Sequence, residues 1–201
     1  MATSNKKWGV NNSSTDKVKV VLFVSRRKDN KDLENYEERR MSFITDKEPT
    51  DDYIMNKFDH FVEDGIDGEL SRMYFSVNSR HLPTVRKQLI HFLIDDDEFN
   101  LCSIQSKIAG IAAKKECAAE KKWMIDFDSH NKILLRECID DINNKVNDEN
   151  SSIEINIHTT PNGHAIVLSH GFDCREFSEK WKDVVTIKKD DMLCVGWERK
   201  E

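Results

Sequence analysis

The stretch Lys121–His130, KKWMIDFDSH, decides the fold of this chain because it joins an apolar strand to two acidic residues. Side chains alternate between the two faces of a strand, so Asp126 and Asp128 share one face while Ile125 and Phe127 point into a core. Two residues along a strand span about 6–7 Å, which suits a pair of carboxylates that binds a hard divalent cation. The pattern therefore predicts a Mg²⁺ or Mn²⁺ site.

The same spacing also arises by chance, because 34% of the residues are charged. Asp95 and Asp97 form such a pair within a polar run, where a solvated pair of acids is the simple interpretation. Asp126 and Asp128 differ because they begin in an apolar strand, and acids near a core need a partner or a metal ion to offset desolvation. Both interpretations stay open on this motif alone.

Composition favours one intracellular domain. The chain has 201 residues, of which 38% are hydrophobic, and its net charge of −6 argues against a uniform coat of nucleic acid. The five cysteines lack zinc-binding spacing. No apolar run approaches the length of a transmembrane helix, so we expect no membrane association. We expect a flexible tail at residues 1–15 and a single domain at 16–201. The expected location is the cytoplasm, or the host-cell cytoplasm if the protein is viral.

Periodicity predicts a mixed α+β fold with a mostly antiparallel sheet flanked by helices. Predicted strands cover Val18–Ser25, Met41–Thr45, Leu70–Val77, the Asp126 stretch, Ile153–His158, His164–Leu168, Val184–Ile187 and Met192–Trp197. Predicted helices cover Thr50–Glu63, Leu82–Ile94, Leu101–Lys121, Asn131–Val146 and Phe172–Trp181. Three tryptophans, at positions 123, 181 and 197, are expected to pack in the core or at sheet edges.

A β-hairpin supplies the second half of the predicted site. The segment Thr159–Gly163 contains Pro followed by Asn-Gly, which is strong turn chemistry, and His164 opens the returning strand. The β-α-β path from Asp128 to His164 is long enough to return that strand beside the Asp126 strand, so we expect His164 near the two acids. Gly163 allows close approach of a ligand, and Thr160 and Asn162 offer polar contacts to a nucleotide.

The order of these motifs resembles the archaeo-eukaryotic primase superfamily, which includes the primase-polymerases. The resemblance covers about residues 118–197 and is carried by Met124–Asp128 (MIDFD) and Thr160–Val167 (TPNGHAIV). It implies a primase-polymerase-like core and metal-dependent transfer of nucleotides from nucleoside triphosphates to DNA or RNA in replication. In that chemistry Asp126 and Asp128 bind Mg²⁺ or Mn²⁺, and His164 contacts the triphosphate.

The chain departs from the family at its third motif, an acid on a late strand. Thr186 falls at about that position, and Asp183 or Asp190 could replace it by a change of register. We take Asp190 as the third predicted metal ligand. Without a third acid, two-metal catalysis is weakened, which leaves a second hypothesis: an impaired relative that binds nucleotide, nucleic acid or a replication protein.

Other residues extend or compete with this hypothesis. Arg72 and Arg80 flank a predicted strand and are candidate phosphate ligands, although solvated surface arginines are the more ordinary interpretation. His158-Thr159-Thr160 matches the His-x-Thr element of two-histidine phosphoesterases, but the second such element is absent from the sequence. A protein-binding module that uses the acidic region 31–70 is a third alternative. The small size is typical of a viral or mobile-element protein.

Overall fold

The structure, a computed structural model, describes residues 16–96, 98–148 and 152–201, so the predicted tail lies outside it. Within these residues the strands are β1 (Lys17–Ser25), β2 (Arg39–Thr45), β3 (Leu70–Ser76), β4 (Arg80–His81), β5 (Trp123–Phe127), β6 (Ile155–Thr160), β7 (Gly163–Leu168), β8 (Val185–Lys188) and β9 (Met192–Arg199). The helices are α1 (Asp52–Glu63), α2 (Leu82–Asp95), α3 (Ile104–Ala112), α4 (Lys132–Asp148) and α5 (Arg175–Lys180).

The predicted mixed α+β class with antiparallel sheets flanked by helices is confirmed. The strands form two sheets instead of one, in the orders β2-β1-β3-β9 and β6-β7-β5-β8, with β4 paired to the start of β1. The last two strands separate, because β8 pairs with β5 while β9 pairs with β3. The chain therefore crosses from the second sheet back to the first through the turn between β8 and β9.

One face of the first sheet packs on α1. The residues Val21 and Phe23 of β1 are fully buried there, and the Phe23 ring lies 5.2 Å from that of Phe58 on α1. The helix presents its apolar residues at helical spacing, and the Asp51 carboxylate caps its first turn by accepting a hydrogen bond from the Tyr53 N–H at 2.9 Å. This packing makes the sheet a rigid wall.

The opposite face of the first sheet is covered over only half its length. Val20 of β1 packs with residues of α2 and α3, such as Val85 and Ala112. Farther along the same face, Leu22 and Val24 line an open cleft. A strand alternates its side chains, so β1 serves a core on one side and this cleft on the other.

The second sheet has a buried apolar face and a face turned toward the first sheet. Its apolar face packs on α4 and α5 through a cluster that includes Ile125, Phe127 and Ile166. Its other face meets the first sheet at a small apolar cluster. The second sheet contributes Met124, Ala165 and Val167, and they pack with Val77, which follows β3, and with Leu193 of β9. Met124 and Ala165 also line the cleft.

The predicted long helix over Leu101–Lys121 is wrong in length, because α3 ends at Ala112. The chain then turns so that Cys117 is buried and Ala118 bridges to Arg80, while the Ala119 N–H donates to the Ser79 carbonyl at 2.8 Å. Helix propensity in an alanine-rich segment is a weak preference that these tertiary contacts override. Likewise α5 covers only part of the predicted Phe172–Trp181 helix.

A buried polar clamp joins the two sheets. The Arg80 guanidinium, with a side chain only 2% exposed, donates to both Asp190 oxygens at 2.7 and 2.9 Å. The Asn78 amide nitrogen donates to the Asp190 carboxylate and to the Lys122 carbonyl, and the Asn78 oxygen accepts from the Lys122 N–H at 2.8 Å. The clamp thus ties together the start of β4, the entry to β5 and the turn between β8 and β9.

Removing one partner of this clamp should strongly destabilise the fold. For Arg80→Met we expect the free energy of unfolding to fall by about 3–5 kcal/mol, because Asp190 would keep its charge without its counter-ion. Urea denaturation measures the change. As a control, Lys182→Met removes an ion pair whose side chains are 61% and 77% exposed and should cost less than about 1 kcal/mol. Similar losses in both variants would contradict the clamp.

Candidate functional site

The two predicted acids line a cleft of about 420 Å³ between the sheets. Asp126 lies on β5, opposite Ala165 of β7 and Thr186 of β8. Asp128 follows the strand, and its N–H donates to the Val184 carbonyl at 2.8 Å, which holds it in line with β5. The alternation inferred from the sequence therefore brings both carboxylates to the same side of the sheet.

The opposite wall of the cleft is cationic. It is formed by the first sheet and contributes Arg26, Lys28, Arg40 and Arg72, together with Tyr74. Strand register explains the arrangement, because Val24 of β1 lies between Arg40 on β2 and Arg72 on β3. One wall thus carries carboxylates and the other carries guanidinium and ammonium groups.

Arg72 is the most deeply placed of these cations. Its side chain is 6% exposed, and its Nη2 donates to Asp29 Oδ1 at 2.5 Å. The other Asp29 oxygen accepts from Arg26 Nε at 2.8 Å, so one carboxylate holds both arginines. Buried Arg72 Nε has no hydrogen-bond partner among the described residues. An unmet buried donor is costly, which makes this guanidinium an incompletely satisfied group in the wall of the cleft.

A second opening adjoins the cleft at the β6–β7 hairpin. Thr160 lines both, and the second opening also contacts Pro161, His130 and Trp197. Trp197 pairs with Arg72 in the register of β3 and β9, so it extends the cationic face of the first sheet. It lies on the edge strand of that sheet, as expected, and it is 42% exposed.

The hairpin lies against the end of β5 because position 163 is glycine. A Cβ atom there would lie 2.2 Å from the Phe127 carbonyl oxygen and 2.6 Å from the Ser129 nitrogen. Such distances are far inside van der Waals contact, so any other residue would push the turn away. Gly163 therefore acts through close packing, while Thr160 and Asn162 line the cleft as expected.

His164 does not share the face of the two acids. It pairs with Phe127 in the β5–β7 register, whereas Ala165 pairs with Asp126. Residues paired directly across strands point to the same face, so the His164 ring lies behind the sheet, 6.5 Å from the Phe127 ring and 6.1 Å from the His130 ring. The expected contact of His164 with a triphosphate in the cleft has no geometric basis here, because the histidine is one residue out of register.

Arg80 and Asp190 are also placed differently from the expectation. Both belong to the buried clamp, so neither the predicted phosphate contact of Arg80 nor the predicted metal ligation by Asp190 is available while they bind each other. The next residue, Asp191, lines the cleft instead. Sequence reasoning missed it because consecutive residues of a turn do not follow strand alternation.

Lys188 of β8 connects two of the cleft acids. Its Nζ lies 3.3 Å from Asp126 Oδ2 and 3.1 Å from Asp191 Oδ2. Burial disfavours the charged ammonium, but the hydrogen bond and attraction to Asp191, followed by those to Asp126, outweigh burial and raise the pKa of Lys188. Thr186 pairs with Asp126 across β8 and β5, so its side chain is on the face of the sheet that carries that acid.

The donors fit a hard cation that shares its coordination with a substrate. Among residues 16–96, 98–148 and 152–201, no group of three or more His, Cys, Asp or Glu side chains could by itself hold a metal ion. Mg²⁺ commonly binds one or two carboxylates and completes its shell with phosphate oxygens and water. Asp126, Asp128 and Asp191 line the cleft together with Thr160 and Asn162, and all five bring side-chain oxygens of that kind.

Comparisons with known proteins add no neighbour: no protein-family model, curated protein or solved structure matches this chain. In the part of the chain that the structure describes, no helix is both long enough and apolar enough to span a bilayer.

The position of His164 behind the sheet leads to a test at acid pH. Burial, followed by the nearby charges of His130 and Lys132, lowers the pKa of His164 below its usual value near 6.5. The folded protein therefore favours the neutral ring, and this contribution to stability is complete above pH 6.5 and is lost as pH falls through the folded pKa. Wild type should lose more stability than His164→Gln between pH 7.5 and 5, as measured by urea denaturation.

A matched variant is His91→Gln on α2, where the histidine is exposed. It should follow the wild-type pH profile. Nucleotide affinity of His164→Gln should stay within about twofold of wild type. A large loss of nucleotide affinity would return His164 to the binding site and contradict its placement behind the sheet.

Proposed function

We propose that the protein is a metal-dependent nucleotidyltransferase of primase-polymerase type that acts on nucleoside triphosphates and nucleic acid. The observation that carries this proposal is the division of charge across one cleft. Asp126 and Asp128 lie on one wall, and four basic side chains, including Arg72, lie on the other. A triphosphate with a divalent cation needs this combination, because the metal binds carboxylates while the remaining phosphate oxygens bind cationic donors.

The residues of the chain take separate roles in this proposal. Asp126 and Asp128 would hold Mg²⁺ or Mn²⁺, which when bound neutralises phosphate charge and acts as a Lewis acid. Arg72, held in place by Asp29, offers its remaining donors to a phosphate group from a fixed position. The reaction class is attack of a nucleic-acid hydroxyl on the α-phosphate, with pyrophosphate as the leaving group. Prior fixing of the charged groups favours such a reaction because little reorganisation is needed.

The cleft-facing side of the first sheet is suited to a single nucleic-acid strand. Arg40 and Arg72 lie on neighbouring strands on either side of Val24, and Trp197 continues the row on β9. Cationic groups bind the phosphate backbone, and an exposed aromatic ring offers a stacking surface to a base. Arg40, Val24 and Arg72 line the cleft, so a strand bound along this row would bring its hydroxyl toward the acids on the opposite wall.

The acids are tested by the double variant Asp126→Asn with Asp128→Asn. We expect Mn²⁺-dependent affinity for a fluorescent nucleoside triphosphate to fall about tenfold or more, because the metal would lose both of its charged protein ligands. Fluorescence anisotropy measures it, with and without Mn²⁺. Binding of a single-stranded oligonucleotide should persist, since its proposed contacts lie on the other sheet.

The matched control removes the same charge from α4, with Glu137→Gln and Asp140→Asn, both of which are exposed. It should leave nucleotide affinity unchanged within about twofold. Equal affinities in the cleft variant and the control would exclude Asp126 and Asp128 as metal ligands for nucleotide binding.

A second candidate function is nucleotide binding without turnover. It is favoured by Thr186, which faces Asp126 where a third acid would be expected. A hydroxyl holds a divalent cation less strongly than a carboxylate, so a second metal ion would be poorly retained during catalysis. Under this alternative the cleft recognises nucleotide or nucleic acid for a replication partner.

Thr186→Asp distinguishes the two functions. If a missing acid limits the reaction, this variant should extend a labelled primer with Mn²⁺ at least about tenfold faster than wild type, because a second cation would gain a charged ligand. Gel analysis of extension products measures the rate. Thr50→Asp, at an exposed position just before α1, adds a similar charge away from the cleft and should have no effect. Efficient extension by wild type, with no gain in Thr186→Asp, would show that Asp191 or another acid already completes the site.

A further inference from the structure

The Lys188 ammonium lies between two acids of the cleft, at a position that a bound metal cation would also favour. Lys188 pairs with Met124 across β8 and β5, so its side chain projects from the face that carries Asp126. Its Nζ lies within 3.3 Å of carboxylate oxygens of both Asp126 and Asp191. These two acids come from different segments of the chain, and one ammonium group serves both.

A second observation concerns a buried donor on the opposite wall of the same cleft. Arg72 lines it with a side chain only 6% exposed, and its Nε has no hydrogen-bond partner among the described residues. One wall of the cleft therefore holds a buried guanidinium donor without a partner, while on the other wall a lysine lies against the acids.

The lysine and a divalent cation compete for the same oxygens. Two positive centres within a few ångströms repel each other, so a metal ion held by Asp126 is disfavoured while Lys188 stays in contact with that carboxylate. The lysine side chain has a flexible four-carbon stem and three donors, and it binds phosphate as readily as carboxylate. It can therefore move between the acids and a phosphate without any movement of β8.

We infer that Lys188 is a movable internal counter-ion that occupies the acids in the free protein and transfers to a phosphate of the substrate when a divalent cation enters. Metal and triphosphate then bind cooperatively. The metal ion displaces the lysine from the acids, and the triphosphate gives the displaced ammonium a new partner, so each ligand favours binding of the other. The inference rests on the proposed function for the identity of the phosphate ligand. The competition between Lys188 and the metal is independent of it and can be measured without nucleotide.

The first test is binding of Mn²⁺ alone to the full chain, followed by electron paramagnetic resonance. Lys188→Met removes the ammonium and keeps an apolar stem, so Mn²⁺ affinity should rise about five- to thirtyfold, the range for losing one or two partly exposed ion pairs. Lys188→Gln provides the same test with a polar side chain. The gain should vanish when Asp126→Asn is added to either variant.

The neighbouring residue supplies a matched control. Lys189 carries the same charge, but its Nζ lies 4.8 Å from the centre of the Trp123 ring, a contact that the Lys188 ammonium does not share. Lys189→Met should change Mn²⁺ affinity by no more than about twofold. Equal gains in the Lys188 and Lys189 variants would reduce the effect to net charge and overturn the inference, as would the absence of any gain at position 188.

The second test measures triphosphate binding at a Mn²⁺ concentration that saturates the protein. If Lys188 transfers to phosphate, Lys188→Met should weaken triphosphate binding by the metal-loaded protein at least about fivefold, and Lys189→Met should not. Unchanged binding in Lys188→Met would overturn the transfer. Tighter Mn²⁺ binding in Lys188→Met, together with no metal-dependent nucleotide binding by wild type, would support the competition while rejecting the proposed function.

Discussion

The buried ion pair between Arg80 and Asp190 is the interaction on which the arrangement of the two sheets depends. Each sheet has its own apolar core, and the apolar contact between the sheets is a small cluster next to the cleft. The clamp fixes the turn between β8 and β9, where the chain passes from one sheet to the other. With Asp190 held inward, Asp191 faces the cleft and Lys188 reaches it. The charge pattern of the cleft thus follows from a structural ion pair outside it.

The cleft separates opposite charges that would otherwise neutralise each other. Arg26 and Arg72 share Asp29 on the first sheet's side of the cleft, and Lys188 binds the acids on the second. Each wall therefore has internal partners, which lowers the cost of holding partly buried charges without a ligand. The Lys188 ion pairs, whose side chains are 33–39% exposed, are also weak enough to be exchanged for a ligand. The same ion pairs can serve stability in the free protein and recognition in the complex.

Much of the fold was predictable because local patterns agreed with tertiary packing. Period-two alternation located β1, β3 and β5, and the Pro-Asn-Gly turn located the β6–β7 hairpin. The failures arose where a distant contact prevailed over local preference, as after Ala112, where the chain leaves its helix to reach Arg80. The position of His164 failed for a different reason. A one-residue difference in register moves a side chain through the sheet, and proximity along the chain does not reveal register.

By itself the sequence determined the α+β class, the strands, and the placement of Asp126 and Asp128 on one face, because alternation along a strand is a local property. The tertiary structure alone decided which groups face those acids. Arg26, Lys28 and Arg40 are far from them in sequence and carry no local motif, yet the packing of two sheets brings them to one cleft. The tertiary structure also decided which of Asp190 and Asp191 faces the cleft, since only one of two adjacent turn residues could pair with buried Arg80. The physical reason is that charge complementarity acts through space, whereas periodicity acts along the chain.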